Sequence, residues 1–135
     1  MNLLPLIERL QQKRVGVMAK TLFINMIPAD APQGVLLRNP LTGTPIDYEV
    51  PGFYRTRFTV IARAGSYTAG EALIGKAIEA ITLPHGTKLG NMEFRYCRPL
   101  TQPSAFPLSQ GNLLEFATEF EVAYSVAPKG AADGA

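Results

Sequence analysis

Two long segments of alternating sequence limit the folds open to this chain. In residues 53–63, apolar side chains such as Tyr54 and Phe58 alternate with arginines. In residues 113–126, apolar side chains such as Phe120 alternate with glutamates. A period of two residues is typical of β-strands that bury one face and expose the other. We therefore predict two long strands, each with one face toward the core and one charged face.

The charges on these two predicted strands are opposite in sign. If the strands pair, the charges form cross-strand ion pairs worth ~0.2–1 kcal/mol each. If they do not pair, the two charged faces are free to meet across a boundary between subunits. The sequence leaves both arrangements open. In the second arrangement the candidates for a subunit interface are Arg55, Arg57, Arg63, Glu115, Glu119 and Glu121.

The rest of the chain predicts two helices and several shorter strands. Residues 3–14 and 68–82 have the spacing of amphipathic helices, and Thr68 with Glu71 has the spacing of a capping box. The shorter strands are expected at residues 21–27, 35–38, 46–50 and 92–98. Strands outnumber helices and mostly connect through turns. We therefore predict an α+β fold, a mainly antiparallel β-sheet with two helices packed on it.

The length of the chain is that of one domain. With 135 residues, it can bury roughly two-thirds of its unfolded surface and needs no disulfide to fold. We expect a single domain over residues 1–126 and a disordered tail of small and polar residues over 127–135. No stretch approaches ~18 uninterrupted apolar residues, so no membrane partner is expected.

The sequence offers few residues for catalysis or for metal binding. It contains one cysteine, Cys97, and one histidine, His85, which excludes a cysteine-rich zinc site. Cys97 lies within a predicted strand, and no nucleophile can be paired with His85 from the sequence. Phosphate-binding loops and dinucleotide fingerprints are absent, and a net charge of +2 does not indicate a nucleic-acid binder. Taken by themselves, these residues predict no metal site and no identifiable catalytic centre.

Three proline-rich segments are candidates for docking loops. They cover residues 28–34, 39–52 and 99–112. Loops on a rigid scaffold commonly carry the residues that bind other proteins. The candidate docking residues in these loops are Asp30, Gln33, Leu41, Asp47 and Phe106.

Two segments of the chain resemble a known family. The first follows the amino-terminal helix and reads Leu22-Phe-Ile-Asn-Met-Ile-Pro-Ala-Asp-Ala-Pro-Gln-Gly-Val-Leu-Leu37. The second runs from the long strand into the second helix and reads Phe58-Thr-Val-Ile-Ala-Arg-Ala-Gly-Ser-Tyr-Thr-Ala-Gly-Glu-Ala-Leu73. Over about residues 1–126 this arrangement resembles the tail terminator, or tail-completion, proteins of long-tailed bacteriophages. Some of these are described as minor capsid proteins.

The resemblance implies an α+β subunit of a hexameric ring that caps the tail tube of a virion. Such a ring stops polymerisation of the tube protein and provides the joining surface for the neck or head connector. Genome DNA passes through its lumen without sequence-specific binding. The resemblance also implies synthesis in the bacterial host cytoplasm, no enzymatic activity and no cofactor.

Two other interpretations stay open at this point. Another phage neck or head-completion ring subunit would also be small and enzymatically silent, and only the identity of its partner separates it from a terminator. A small thioesterase-like enzyme also wraps a sheet around one long helix in about this length. A hydrolase activity that is lost on mutating Glu71 would favour the enzyme, and Glu79 is a second carboxylate of the same predicted helix.

Overall fold

Two helices pack on one face of a seven-stranded sheet in the computed structural model, which describes residues 1–107 and 113–127. The predicted α+β fold with a mainly antiparallel sheet is confirmed. The elements are α1 (Leu4–Gln12), β1 (Leu22–Ile24), β2 (Gly34–Arg38), β3 (Phe53–Ala64), α2 (Tyr67–Ile81), β4 (Thr87–Leu89), β5 (Met92–Pro99), β6 (Ser104–Pro107) and β7 (Leu114–Val126). Residues 128–135 of the predicted disordered tail lie outside the described residues.

The sheet is built around β7, the longest strand. One edge of β7 pairs with the whole of β3, from Phe53 opposite Ser125 to Ala64 opposite Leu114. The other edge pairs with β5 toward the end of β7 and with β6 toward its start. The strand order is β1-β2-β3-β7-β5-β4, and the pair β1–β2 is parallel while the other pairs are antiparallel.

The core lies between the helices and one face of this sheet. Phe58 of β3 and Phe120 of β7 are fully buried there, with their ring centroids 5.3 Å apart. Leu10 of α1 and Ile74 of α2 are buried against the same face. The predicted inward faces of both long strands are therefore confirmed.

The helix α2 begins at a different cap from the predicted one. Ser66 is the N-cap: it has an extended backbone, with φ −146°, and its Oγ accepts a hydrogen bond from the Ala69 N–H at 3.2 Å. Thr68 already lies in the first turn of the helix. The predicted capping box of Thr68 and Glu71 is wrong because the cap requires a residue in extended conformation just outside the helix.

Close packing accounts for one of the two glycines in α2. A Cβ atom on Gly70 would lie 2.2 Å from Cε1 of Phe116, so the helix approaches β7 more closely there than a side chain allows. Gly75 has no neighbour within 4 Å of such an atom. Gly70 is therefore a packing residue, and Gly75 faces open space.

The segment 46–50 does not form the predicted strand. The Asp47 Oδ1 accepts a hydrogen bond from the Glu49 N–H at 2.9 Å, and the Val50 N–H donates to the Asp47 carbonyl at 3.2 Å. These bonds close a turn, as aspartate side chains commonly do, and they keep the segment away from a strand conformation.

The segment 99–112, predicted as a loop, contains a short strand. Residues Ser104–Pro107 form β6, in which Phe106 lies opposite Glu115 of β7. The strand fills the part of the β7 edge that β5 leaves free. Phe106 therefore belongs to an edge strand and not to a loop. Residues 108–112 lie outside the described residues.

Candidate functional site

The face of the sheet opposite the helices carries the charged side chains. Arg57 lies directly opposite Glu121, and Arg63 lies directly opposite Glu115, on the neighbouring strands β3 and β7. The two charged strand faces therefore pair within one subunit. Of the two arrangements that the sequence left open, the structure shows the cross-strand one.

Arg63 and Glu115 form a buried ion pair at one end of this open face. The Arg63 Nη2 lies 3.0 Å from the Glu115 Oε2, and the exposed fractions of the two side chains are 8% and 12%. The Arg63 Nη1 also donates to the carbonyls of Pro28 and Ala31, at 2.8 and 3.2 Å. Arg63 therefore fixes the loop 28–34 to the sheet, and both charges are satisfied inside the subunit.

The other charges of the open face are exposed to solvent. The Arg57 Nη1 lies 3.7 Å from the Glu119 Oε1, and these side chains are 63% and 47% exposed. Arg55 lies opposite Ala123 and so has no carboxylate directly across from it. These residues remain on a surface that another protein can reach.

The strand β5 adds charges to the open face that the sequence analysis did not select. The Arg98 Nε donates to the Glu121 Oε1, and its guanidinium lies 4.2 Å from the centre of the Tyr96 ring. Arg95 lies 5.1 Å from the centre of the Phe53 ring. Nothing in the sequence indicated that β5 pairs with β7, so these arginines could not be assigned to the face.

The candidate docking residues lie at two opposite ends of the sheet. Asp30 and Gln33 belong to the loop that Arg63 holds, and Phe106 lies opposite Glu115. Leu41 and Asp47 precede the first residue of β3, whereas Arg63 is near its last residue. Since β3 has 12 residues, the two ends are ~36 Å apart at ~3.3 Å per residue.

The loop 39–52 has a fixed base and an exposed apolar tip. At the base, the terminal amine of Met1 donates to the Thr44 Oγ1 at 2.9 Å, and the Asn39 Nδ2 donates to the Met1 carbonyl at 3.0 Å. At the tip, Leu41 is fully exposed and Tyr48 is 85% exposed. Ile46 and Val50 are exposed as well. Large apolar side chains exposed on the same loop mark surfaces that contact other proteins.

The residues considered for catalysis lie on α2, in the turn after it and in β5. Glu71, Glu79 and His85 are exposed on α2 and in the turn after it. Cys97 is fully buried, and burial raises the pKa of its thiol well above the usual range, so the thiolate that would act as a nucleophile is disfavoured.

The described residues carry neither a metal-binding cluster nor a membrane-spanning helix. Across residues 1–107 and 113–127, no three or more His, Cys, Asp or Glu side chains are grouped so as to hold a metal ion. In the same part of the chain, neither helix is long and apolar enough to cross a membrane.

Comparison with known proteins identifies the family. Residues 9–126 match the family described as bacteriophage tail terminator protein. The chain belongs to this family. The match runs from within α1 to the last residue of β7 and thus covers nearly the whole fold. The resemblance seen in the sequence is therefore confirmed. As a member of the tail terminator family, the chain is a structural protein of the virion.

A solved structure shares the fold of this tail terminator family member. It is a chain of the virion of a native gene transfer agent particle, with a TM-score of 0.60 and 11% sequence identity. The alignment covers 88% of this chain and 93% of the other. At this identity the likeness shows the fold alone. No curated protein matches the chain.

Proposed function

We propose that this chain is the tail terminator of a long-tailed phage or phage-like particle. Copies of it form a hexameric ring that caps the tail tube at the junction of tail and neck. The ring stops polymerisation of the tube protein and provides the joining surface for the neck or head connector. Genome DNA passes through the lumen without sequence-specific binding. The subunit is made in the host cytoplasm and works without a cofactor or an enzymatic activity.

One observation carries this proposal: the family match extends over residues 9–126. A match confined to one helix or hairpin would support a shared motif. A match from within α1 to the end of β7 supports a shared subunit, since it includes the seven strands β1–β7, the whole of α2 and the end of α1. The fold shared with a chain of a gene transfer agent virion agrees with this interpretation.

The shape of the subunit supports a ring. Identical subunits in a ring contact each other head to tail, so each needs two different and complementary surfaces. This subunit has an open, charged sheet face on one side and a helical layer on the other. We propose that the exposed charges of the open face lie at the contact between neighbouring copies: Arg55, Arg57, Glu119 and Glu121. Arg63 and Glu115 support this surface from inside.

The end of the sheet near the buried ion pair is suited to docking another component of the tail or neck. Asp30 and Gln33 are exposed there on a loop that two hydrogen bonds from Arg63 hold in place. Phe106 is 41% exposed on β6, where it lies opposite Glu115 of the buried ion pair. Exposed side chains on a fixed loop bind with little loss of conformational freedom.

A tube-capping assay tests the proposed function. The tube protein encoded in the same genome is polymerised with and without this protein, and tube lengths are measured by electron microscopy. We expect elongation to stop when the tube ends are saturated, with a six-fold ring visible at each end and hexamers in native mass spectrometry. Elongation that continues at saturating protein contradicts a terminator. Binding to the connector but not to tube ends would identify another neck ring.

The variant Arg55→Glu/Arg57→Glu tests the proposed contact between copies in the same assay. It reverses two exposed charges and leaves the buried core untouched. We expect a folded protein that no longer forms the ring. A folded variant that caps tubes as the unchanged protein does would remove these arginines from the contact.

A further inference from the structure

A basic cleft lies on the helical side of the subunit, between the end of α1 and the outer face of α2. It has a volume of ≈440 Å³. Lys13 and Arg14, which directly follow α1, and Lys76 from α2 are exposed along it, and Glu79 is the carboxylate of the lining. Within the described residues, Lys13, Arg14 and Lys76 form no ion pair. The cleft therefore presents positive charge that is not neutralised inside the subunit.

Arg14 lines this cleft from a backbone position that favours glycine. The helix α1 ends with the Arg14 N–H donating to the Gln11 carbonyl at 3.0 Å and the Val15 N–H donating to the Leu10 carbonyl at 2.9 Å. This pattern places Arg14 in the left-handed region, with φ 61°, where a residue with a Cβ atom is strained. Strain of this kind is often kept where the side chain has a function. A glycine here would end the helix more easily but would remove the charge.

The tip of the loop 39–52 has the chemistry that complements this cleft. It carries two exposed carboxylates, Asp47 and Glu49, beside the exposed side chains of Leu41 and Tyr48. The cleft offers some apolar surface as well, from the half-buried Val15. An acidic, apolar loop and a basic cleft with an apolar wall are complementary in both charge and polarity.

The loop and the cleft lie at opposite ends of the same subunit. The base of the loop is hydrogen-bonded to Met1, before the start of α1. The cleft is lined by residues at the other end of α1, a helix of 9 residues that is ~14 Å long at ~1.5 Å per residue. Asp47 lines a cavity with Phe53 and Arg55 at the start of β3, so the loop does not occupy the cleft of its own subunit and is free to reach that of another copy. Such a contact uses two different patches on each subunit, as a ring requires.

We propose that residues 41–50 of the loop 39–52 of one copy dock into the basic cleft of the next copy. Asp47 and Glu49 pair with Lys13, Arg14 and Lys76, and the exposed apolar side chains of the loop cover Val15. This inference rests on the proposed ring, and it adds the loop and the cleft to the contact proposed above for the open face, because Asp47 and Arg55 line one cavity. It assigns Leu41 and Asp47 to the neighbouring copy, and Asp30, Gln33 and Phe106 remain for docking other components.

Site-directed cross-linking tests this contact. Full-length Tyr48→Cys protein is mixed with full-length Glu79→Cys protein and treated with a bifunctional maleimide, while the buried Cys97 stays unreactive. The control mixture pairs Tyr48→Cys with Lys88→Cys, an exposed position on β4 away from the cleft. We expect the first mixture to cross-link at least about tenfold faster, because docking raises the effective concentration of the two thiols. Equal rates in the two mixtures overturn the proposal.

A charge exchange provides an independent check. Asp47→Lys/Glu49→Lys in the loop partner should abolish the fast cross-link, and Lys13→Glu/Lys76→Glu in the cleft partner should restore it. In the same assay Arg14→Gly should slow the cross-link while raising Tm. Failure of the exchanged pair to restore the reaction contradicts the ion pairing. Arg14→Gly protein that cross-links at the unchanged rate contradicts the role of Arg14.

The outcomes separate this contact from the proposed function. If the unchanged protein caps tubes as a ring but cross-links without selectivity, the contact is wrong and the terminator stands. If the cross-link is selective but tubes are not capped, the contact stands and the terminator function is wrong. A third outcome is that duplex DNA binds the unchanged subunit but not the Lys13→Glu/Lys76→Glu variant, while the cross-link shows no selectivity. This outcome would assign the cleft to phosphate groups and overturn the proposal.

Discussion

Arg63 on β3 and Glu115 on β7 face each other across the sheet, and their ion pair, 3.0 Å long, is shielded from solvent. The same guanidinium holds the carbonyls of Pro28 and Ala31. The Arg63 side chain thus joins the two central strands to the loop 28–34, which is adjacent to neither strand along the chain. This pair is structural, although the sequence made it a candidate for an interface between subunits.

Removing Arg63 should be costly. Arg63→Ala leaves the Glu115 carboxylate buried without a partner, and we expect a loss of about 3–5 kcal/mol in the free energy of unfolding. Urea denaturation followed by circular dichroism measures it. Arg57→Ala is the matched control, because its ion pair with Glu119 is exposed and should contribute less than ~1 kcal/mol. Equal losses for the two variants would contradict the structural role of Arg63.

The two glycines of α2 should respond in opposite directions to alanine. In Gly70→Ala the new methyl group would meet the ring of Phe116 at 2.2 Å, and we expect the overpacking to cost about 1–3 kcal/mol. Gly75→Ala faces open space and should gain roughly 0.5–1 kcal/mol from helix propensity. Thermal unfolding of both variants checks the pair. A stabilised Gly70→Ala protein would show that the helix and β7 are not in close contact.

The cap of α2 can be located by two alanine substitutions. Ser66→Ala removes the hydroxyl that accepts the Ala69 N–H, and we expect a loss of ~1 kcal/mol in the free energy of unfolding. Thr68→Ala lies inside the first turn and should change the stability by no more than ~0.5 kcal/mol. If Thr68→Ala were the more damaging substitution, the helix would begin at the cap that the sequence suggested.

Cys97 should make the stability of the protein depend on alkaline pH. Burial raises the pKa of its thiol in the folded state, whereas in the unfolded chain the thiol ionises near pH ~8.5. The folded state therefore binds the thiol proton more tightly than the unfolded chain does. The stabilisation that results is complete below pH ~8.5 and is lost as the pH rises above that value.

The measurement is the difference in unfolding free energy between the unchanged protein and Cys97→Ala. Relative to Cys97→Ala, the unchanged protein should lose about 1.4 kcal/mol of unfolding free energy per pH unit between pH ~9 and ~10.5. The native thiol should also fail to react with a chromogenic disulfide reagent until the protein is unfolded. A difference that stays constant with pH, or rapid reaction in the native state, would show that Cys97 is accessible.

The long strands and their buried faces could be predicted from the sequence because each carries its own signal. Alternation over more than ten residues assigns Phe58 and Phe120 to the core without any information about their neighbours. Short elements carry no such signal. The strands β4 and β6 have 3 and 4 residues, too few to show a period, and β6 forms because the edge of β7 is free beside it.

The charged surfaces were harder to predict because they depend on which elements become neighbours. Arg98 meets Glu121 only because β5 pairs with β7. Lys13 and Lys76 line one cleft only because α1 packs beside α2. Neither relationship has a local signature in the sequence. The candidate residues on β3 and β7 were selected correctly as charged faces, but their mutual pairing could be established only from the register of the two strands.

The strands at the open edges of the sheet are all short. β1 and β4 have 3 residues each and β6 has 4, whereas the central β7 has 13 and is paired on both sides. A long free edge invites strand addition by other chains and leads to fibrils, and short edges suppress it. Short edges therefore let the folded subunit reach high concentration without amyloid-like self-association, so that uncontrolled growth is blocked at the level of the backbone.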